Sequence, residues 1–248
     1  AKEIMNSDSE MTTVRFNLDV DGEKYLTDRR WEFQKTPFKN TFFVKGFKRD
    51  GDFDKGIYTF QSIGSVAICD MVEGGENLLD ACAAPGGKSV NLADKFSSVT
   101  SCELHPHRVR LIEEYAERMR KTNIVAINAD SSVFDERFEN KFDAVLCDVP
   151  CSGYGVIKDN PDIKLKREEI DIEEIYSTQR KILQNCSKYL KKGGFLYYST
   201  CSVFKSENEK VCIDFLNENN DFEAVEAGSE LGHKQMKVGV SFLPNLSY

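Results

Sequence analysis

Nowhere does the chain run for about 18 consecutive apolar residues, so a membrane-spanning helix is not expected. No secretory signal is visible at its start. Its eight cysteines (69, 82, 102, 147, 151, 186, 201 and 212) include no Cys-x-x-Cys pair. A zinc site is therefore not expected, and His105 and His107, on either side of Pro106, are read as surface residues. Most of the cysteines fall inside apolar patterns, which fits free buried thiols in a reducing cytoplasm. Neither a GxGxxG fingerprint nor a P-loop occurs, which weakens nicotinamide and ATP chemistry. No internal repeat or low-complexity tract appears, and AKEIMNSD, without an initiator methionine, fits a piece of a longer protein.

What is present is an ordinary globular composition, 40% hydrophobic and 30% charged over 248 residues, enough for one substantial α/β domain and a small appendage. The net charge of −8 argues against a generic nucleic-acid coat, but it is unevenly spread. Residues 1–60 hold 11 basic and 11 acidic groups, so the whole acidic excess lies beyond them. Within that neutral part, KTPFKNTFFVKGFKR (35–49) carries five cations, four phenylalanines and no acid. Cations for phosphates and aromatics for unstacked bases would suit a nucleic-acid surface. A strand with a basic outer side and a phenylalanine core side would read the same way.

The first 60 residues contain short strand-like runs at 12–20, 40–46 and 56–61, a small β-rich unit. From residue 61 to 248 strands alternate with helices, which predicts a doubly wound, Rossmann-like α/β domain around a parallel sheet. Strands are expected at 76–82, 98–104, 124–130, 142–150 and 193–200, with a further one at FEAVEA, 222–227. Val109, Ile112, Ala116 and Met119 share one helix face, and Ile172, Ile175, Ile182, Leu183, Cys186 and Leu190 form the stripe of a longer helix. Val211, Phe215 and Leu216 mark the last helix, with Ser206-Glu207-Asn208-Glu209 in front of it as a capping box.

In such a sheet, ligands bind beyond the C-terminal strand ends. The loop after the first strand of this domain, Asp80-Ala81-Cys82-Ala83-Ala84-Pro85-Gly86-Gly87-Lys88, has small residues that allow close approach of a ligand. Glu103, 16 residues beyond Gly87, could accept both hydroxyls of a ribose, and Asp130 could receive an adenine amino group. With no pyrophosphate fingerprint, S-adenosylmethionine is the better adenosyl ligand. Two further strands each end near a thiol, Cys151 in LCDVPCSGYG and Cys201 in YYSTCSVF. The capping box would put Cys201 close to a helix N-terminus, where a thiolate is favoured.

DACAAPGGKS, CDVPCSGYGVIKDNPDIK and YSTCSVFKSENE, in this order within residues 56–216, resemble three signature motifs of the RNA cytosine-C5 methyltransferases, the Nop2/Sun family. VIKDNPDIK is most similar to the branch acting on bacterial 16S ribosomal RNA, and TTVRFN resembles the family's small RNA-binding subdomain. The resemblance implies S-adenosylmethionine as cofactor, 16S rRNA as partner and no metal. It implies cofactor contacts from Cys82, Ala83, Ala84, Pro85, Gly86, Gly87, Lys88, Glu103, Arg108, Asp130 and Asp148. By the same resemblance Cys201 is the nucleophile that adds to cytosine C6, and Cys151 helps to release the product. Asp148 could hold the N3 and amino edge of the cytosine, with Lys88 as its ion-pair partner.

Asn160 departs from the histidine that many relatives carry before Pro-Asp, and the chain stops at LPNLSY, where the family adds a further strand. A tRNA substrate, or a non-catalytic RNA-binding or ribosome-assembly factor, are the alternatives. An amino-group methyltransferase would read Asp/Asn-Pro-Pro-aromatic where this chain reads Asp148-Val149-Pro150-Cys151.

Overall fold

The computed structural model describes residues 11–156 and 172–242. Asn160 and most of the VIKDNPDIK segment, and the terminal LPNLSY, lie outside the described residues.

Four short strands, β1 (Met11–Phe16), β2 (Phe33–Lys35), β3 (Thr41–Lys45) and β4 (Tyr58–Phe60), form an antiparallel sheet in the order β2-β3-β1-β4. Alternation along β1 turns Val14 and Phe16 inward, and Val14 faces Phe42 on one neighbour and Phe60 on the other. A short helix, α1 (Gly22–Asp28), is capped by Asp21, whose carboxylate accepts the Lys24 N–H at 2.9 Å. It lays Tyr25 and Leu26 on this sheet, and one further turn, α2 (Gly51–Asp54), precedes β4.

This packing decides between the two meanings of the 35–49 strip. Phe42 and Phe47 lie in the same core as Phe16 and Tyr58, and Phe38 packs with Ile63, Val66 and Leu231. Phe43 is half-buried against that second cluster. Three of the four rings are core and Phe43 is half-buried, which is the strand reading of the strip. The cations point outward, and Lys35 pairs with Glu23 and Arg49 with Asp54.

The second sheet holds β5 (Gly75–Asp80), β6 (Phe96–Glu103), β7 (Ile124–Asn128), β8 (Phe142–Asp148) and β9 (Leu190–Ser199). All neighbours are parallel, in the order β7-β6-β5-β8-β9, so the chain reverses its direction of travel between β5 and β8. This is the doubly wound, Rossmann-like architecture. Side-chain alternation splits its core in two. Leu78, Val99, Ala144 and Leu146 face α3 (Ile63–Met71) and α4 (Gly87–Leu92). Leu79, Cys102, Val145 and Cys147 face α6 (Ile172–Ser187) and α7 (Glu209–Glu218). Between β6 and β7 runs α5 (Pro106–Arg118), which buries Ile112 and Ala116 as its spacing predicts.

The two sheets are joined by polar side chains that leave little to water. Asn17 donates to the Met119 carbonyl at 2.9 Å, Arg118 to the Phe53 carbonyl at 2.9 Å, and buried Arg15 to Gln61 at 2.8 Å.

Three expectations need correction. No strand forms over 222–227: Phe222 packs on Phe215, but Val225 is 65% exposed, so the segment has no continuous apolar face to pair against the sheet. In the α6 stripe, Ile172 is exposed and Leu190 belongs to β9, while Gln179 is fully buried and donates to the Pro150 carbonyl at 3.0 Å. The capping box does not form either, because α7 starts at Glu209 behind Asn208, whose side chain caps nothing. Cys201 therefore lies eight positions before α7 instead of at its N-terminus.

Candidate active site

The C-terminal ends of β5, β6, β8 and β9 carry all but one of the expected residues. From β5 the chain enters the small-residue loop, where Ala83 N–H donates to the Cys102 carbonyl on β6 at 2.9 Å. Gly86 ends the loop with φ 104°, a conformation that glycine adopts without cost, and a Cβ there would come 3.2 Å from the Ile112 backbone. At Gly87 an added Cβ would make only an ordinary contact with the edge of Tyr115, at 3.8 Å. Cys82 is half-buried behind the loop, and burial pushes its thiol well above the ordinary range.

Beneath the loop lies Asp80, 1% exposed. Its Oδ2 accepts Ser89 at 2.7 Å, Ser89 accepts Ser101 at 2.9 Å, and Oδ1 has no partner. Burial raises its pKa to about 6.

Glu103, at the end of β6, is 5% exposed. Its Oε1 accepts the His105 N–H at 3.0 Å and faces Arg108 at 3.4 Å. Arg108 also donates to the Ala84 carbonyl at 3.1 Å, so it ties the loop to the acid instead of standing free. Both Glu103 bonds engage Oε1, and among the described residues Oε2 has no hydrogen-bond partner. Asp130 is the outlier: it lies two residues past β7, is exposed, and folds back to accept Ser132 N–H at 2.9 Å and Ser132 Oγ at 2.7 Å.

Beside the switch point, Lys88 Nζ donates to Asp148 Oδ2 at 2.6 Å, the pair expected from the sequence. Ser199 on β9 donates to the other carboxylate oxygen at 2.6 Å. Burial alone would push Lys88 down, but the adjacent Asp148 charge and hydrogen bond outweigh it and its pKa is raised.

Cys151 and Cys201 follow β8 and β9, and their sulfurs lie 2.8 Å apart. Cys201 is exposed and Cys151 is half-buried. The two cysteines are free, and either sulfur could be the donor in the contact between them. A proton held on Cys151 and donated to Cys201 lowers the pKa of Cys201. Burial and the Asp148 charge oppose that shift, and the Lys88 ammonium favours it. Cys151 is pushed up by donating the same bond and by burial. One contact runs the other way, since Cys201 N–H donates to the Cys151 sulfur at 3.2 Å. That backbone bond is the weaker influence, because sulfur is a poor acceptor from a neutral amide. Together these influences hold the Cys201 thiol below, and the Cys151 thiol above, the ordinary range.

What holds the two thiol loops has no direct signal in the chain. Ser152, next to Cys151, donates its N–H to Glu207 Oε2 at 2.6 Å. Ser202, next to Cys201, donates its hydroxyl to Glu207 Oε1 at 2.7 Å. The two serine hydroxyls are 3.0 Å apart, and Tyr154 meets Phe204 edge-on at 5.1 Å. Gly155 N–H donates to the Cys201 carbonyl at 2.8 Å, and a Cβ on Gly155 would lie 2.6 Å from that oxygen. Among the described residues, no group of three His, Cys, Asp or Glu side chains could hold a metal ion.

Comparison with known proteins bears on this arrangement. The family model described as 16S rRNA methyltransferase RsmB/F matches residues 68–246. The "Probable ribosomal RNA small subunit methyltransferase B" of Bacillus subtilis is 41% identical over 177 residues, 69% of this chain and 40% of that protein. The "Ribosomal RNA small subunit methyltransferase B" of Yersinia enterocolitica is 33% identical over 196 residues, 74% of this chain and 44% of that one. The chain thus spans less than half the length of these relatives. Among solved structures, PH0851 superposes with a TM-score of 0.86 at 27% identity, over 94% of this chain and 56% of that chain. A methyltransferase homolog protein from Pyrococcus horikoshii gives 0.77 at 25% identity, over 99% and 81%. Since the family match covers the glycine loop and both thiol loops in one continuous span, the chain belongs to the 16S rRNA methyltransferase RsmB/F family.

Proposed function

We propose that the chain carries the catalytic site of an S-adenosylmethionine-dependent RNA cytosine-C5 methyltransferase that acts on small-subunit ribosomal RNA. The observation that carries this reading is the thiol pair at the mouth of the sheet, 2.8 Å between sulfurs, beside the Lys88–Asp148 pair. C5 of cytosine is a poor nucleophile, and a thiol added at C6 makes it an enamine. A pair of unequal thiols suits such a reaction, because one must attack as thiolate and the other must carry a proton.

The residues would act as follows. The Cys201 thiolate adds to C6, forming the S–C6 bond as the C5=C6 double bond opens, while the Asp148 carboxylate accepts from the amino group and from a protonated N3, so that the adduct is a neutral enamine. Lys88 keeps the Asp148 carboxylate oriented. The glycine loop, Glu103 and Arg108 fit an adenosyl group, which would present its methyl sulfonium to C5 and supply the methyl. Cys151 helps to resolve the adduct: the C5 proton is lost to solvent, its bonding electrons re-form the C5=C6 bond, and the C6–S bond breaks to release the Cys201 thiolate beside the Cys151 thiol. In duplex RNA the target must first be unstacked, at a cost of a few kcal/mol. The N-terminal unit, residues 1–60, would contribute cations to the RNA, with Lys39 and Lys48 outward on its basic strip.

The experiment is methyl transfer from labelled S-adenosylmethionine to purified small-subunit rRNA, followed by digestion to nucleosides. Label in 5-methylcytidine supports the reading. Label in any other nucleoside, or binding of rRNA and cofactor without transfer, would overturn it. Label found only with tRNA would keep the chemistry and correct the substrate.

A further inference from the structure

The cysteine loops leave two different strands, yet one side chain grips both of them at matching points. Glu207 is fully buried, and its two carboxylate oxygens are divided between the loops. Oε2 accepts the N–H of Ser152, the residue after Cys151, and Oε1 accepts the hydroxyl of Ser202, the residue after Cys201. The contact between the Ser152 and Ser202 hydroxyls, 3.0 Å, closes a ring of hydrogen bonds around it. The far side of Glu207 is fixed as well, because its own carbonyl accepts the Tyr198 hydroxyl at 2.6 Å.

A carboxylate without water is costly unless hydrogen bonds satisfy it. Among the described residues no Lys, Arg or His lies within ion-pair distance of Glu207, so only these neutral donors offset the cost. An acceptor-only group with two oxygens is what two donors from two separate loops require. The sulfurs, one residue away on each loop, are 2.8 Å apart. Displacement of about 1 Å at such a pair is enough to lose most of its effect.

We propose that Glu207 is a positioning residue that sets the register of the Cys151 and Cys201 thiols. The assignment of the two thiols to successive steps, on which its catalytic meaning rests, is that of the proposed function. Glu207 touches neither base nor cofactor in this account. It acts by keeping the proton-bearing thiol of Cys151 against the Cys201 sulfur.

The test reads thiol register without RNA. Diamide takes two electrons and two protons from a pair of thiols and becomes the hydrazine, leaving a disulfide. The full chain is treated with diamide, and the Cys151–Cys201 linked peptide is followed by mass spectrometry. Glu207→Ala is expected to form it about tenfold more slowly than the native chain, since loop fluctuation dilutes one thiol relative to the other. Glu207→Gln, which keeps one acceptor and a group able to donate to Ser202, should restore most of the rate. Ser202→Ala cuts a single anchor without removing the carboxylate, and should fall between them.

Alkylation of buried Cys147 and Cys186 in the same samples separates register from general loosening. Unchanged alkylation there with slowed linking supports the role. Linking at the native rate in both Ala variants, or slowing matched by faster alkylation of Cys147 and Cys186, overturns it. Failure of the methyltransferase reading would show instead in the RNA assays, with the linking rates unaffected.

Discussion

The sulfurs of Cys151 and Cys201 lie 2.8 Å apart although 50 positions separate the two residues in the chain. Parallel pairing of β8 with β9 accounts for this, since Asp148 is in register with Ser199 and each thiol follows its strand end by two or three residues. The closeness makes the two chemically unlike: one sulfur accepts the proton that the other donates.

That asymmetry has a pH signature. The Cys151 donor holds the Cys201 pKa below the ordinary thiol value. Alkylation of Cys201 by iodoacetamide should therefore reach half its maximum rate below the pH typical of a free thiol. In Cys151→Ala the donor is gone, the thiolate loses its partner, and the profile should move to higher pH. Peptide mass spectrometry after short exposure at each pH measures it. A profile that stays in place or moves down would show that Cys201 is the donor.

Asp80 gives a second pH prediction, this one in stability. Its folded pKa is raised by burial to about 6, against about 4 in an unfolded chain. For an acid with a raised folded pKa, the unfolded state releases its proton first, so stability falls as pH climbs from about 4 to about 6 and is level above that. The two-unit difference corresponds to about 2–3 kcal/mol. Asp80→Asn keeps an acceptor for Ser89 and removes the titration, so denaturant unfolding at pH 4.5 and 7 should differ less in the variant. Equal pH dependence in both proteins would mean that Asp80 titrates normally.

Gly155 tests the seating of the nucleophile. A methyl group there would lie 2.6 Å from the Cys201 carbonyl oxygen and 3.2 Å from its carbon, both backbone atoms that cannot swing away. Gly155→Ala should displace the Cys201 loop and lower methyl transfer about 10- to 100-fold. Cofactor affinity, set by the loop after β5, should be unchanged. Equilibrium dialysis with S-adenosylmethionine beside initial rates on rRNA distinguishes the two.

Much of this could be read in the chain beforehand because the relevant signals are local. The β8 run Phe142–Asp148 is apolar and short, and it forms the strand whose end holds Asp148. The pairing of Lys88 with Asp148 likewise follows from two motifs at neighbouring strand ends. What failed depended on partners distant in sequence. Glu209 looks like half of a capping box with Ser206, but its carboxylate accepts the Lys237 N–H at 2.6 Å instead, and Glu207 shows its role only when Ser152 and Ser202 come within reach. The phenylalanines at 38, 42, 43 and 47 have the spacing of a base-stacking surface, and only packing against Phe16, Tyr58 and Ile63 shows three of them to be core and Phe43 half-buried. Arg108 lies where a ligand contact was expected, but its reach to both Glu103 and Ala84 is a property of the folded loop.

The central claim is that two adjacent thiols act at different stages on one base, and a denaturing gel tests it directly. Cys151→Ala and Cys151→Ala/Cys201→Ala would be incubated with S-adenosylmethionine and small-subunit rRNA, boiled, treated with nuclease and resolved. The account predicts a band shifted by covalently bound RNA in the single variant, which the double variant lacks. A shifted band that persists without Cys201, or none in the single variant while cofactor and rRNA still bind, would contradict it.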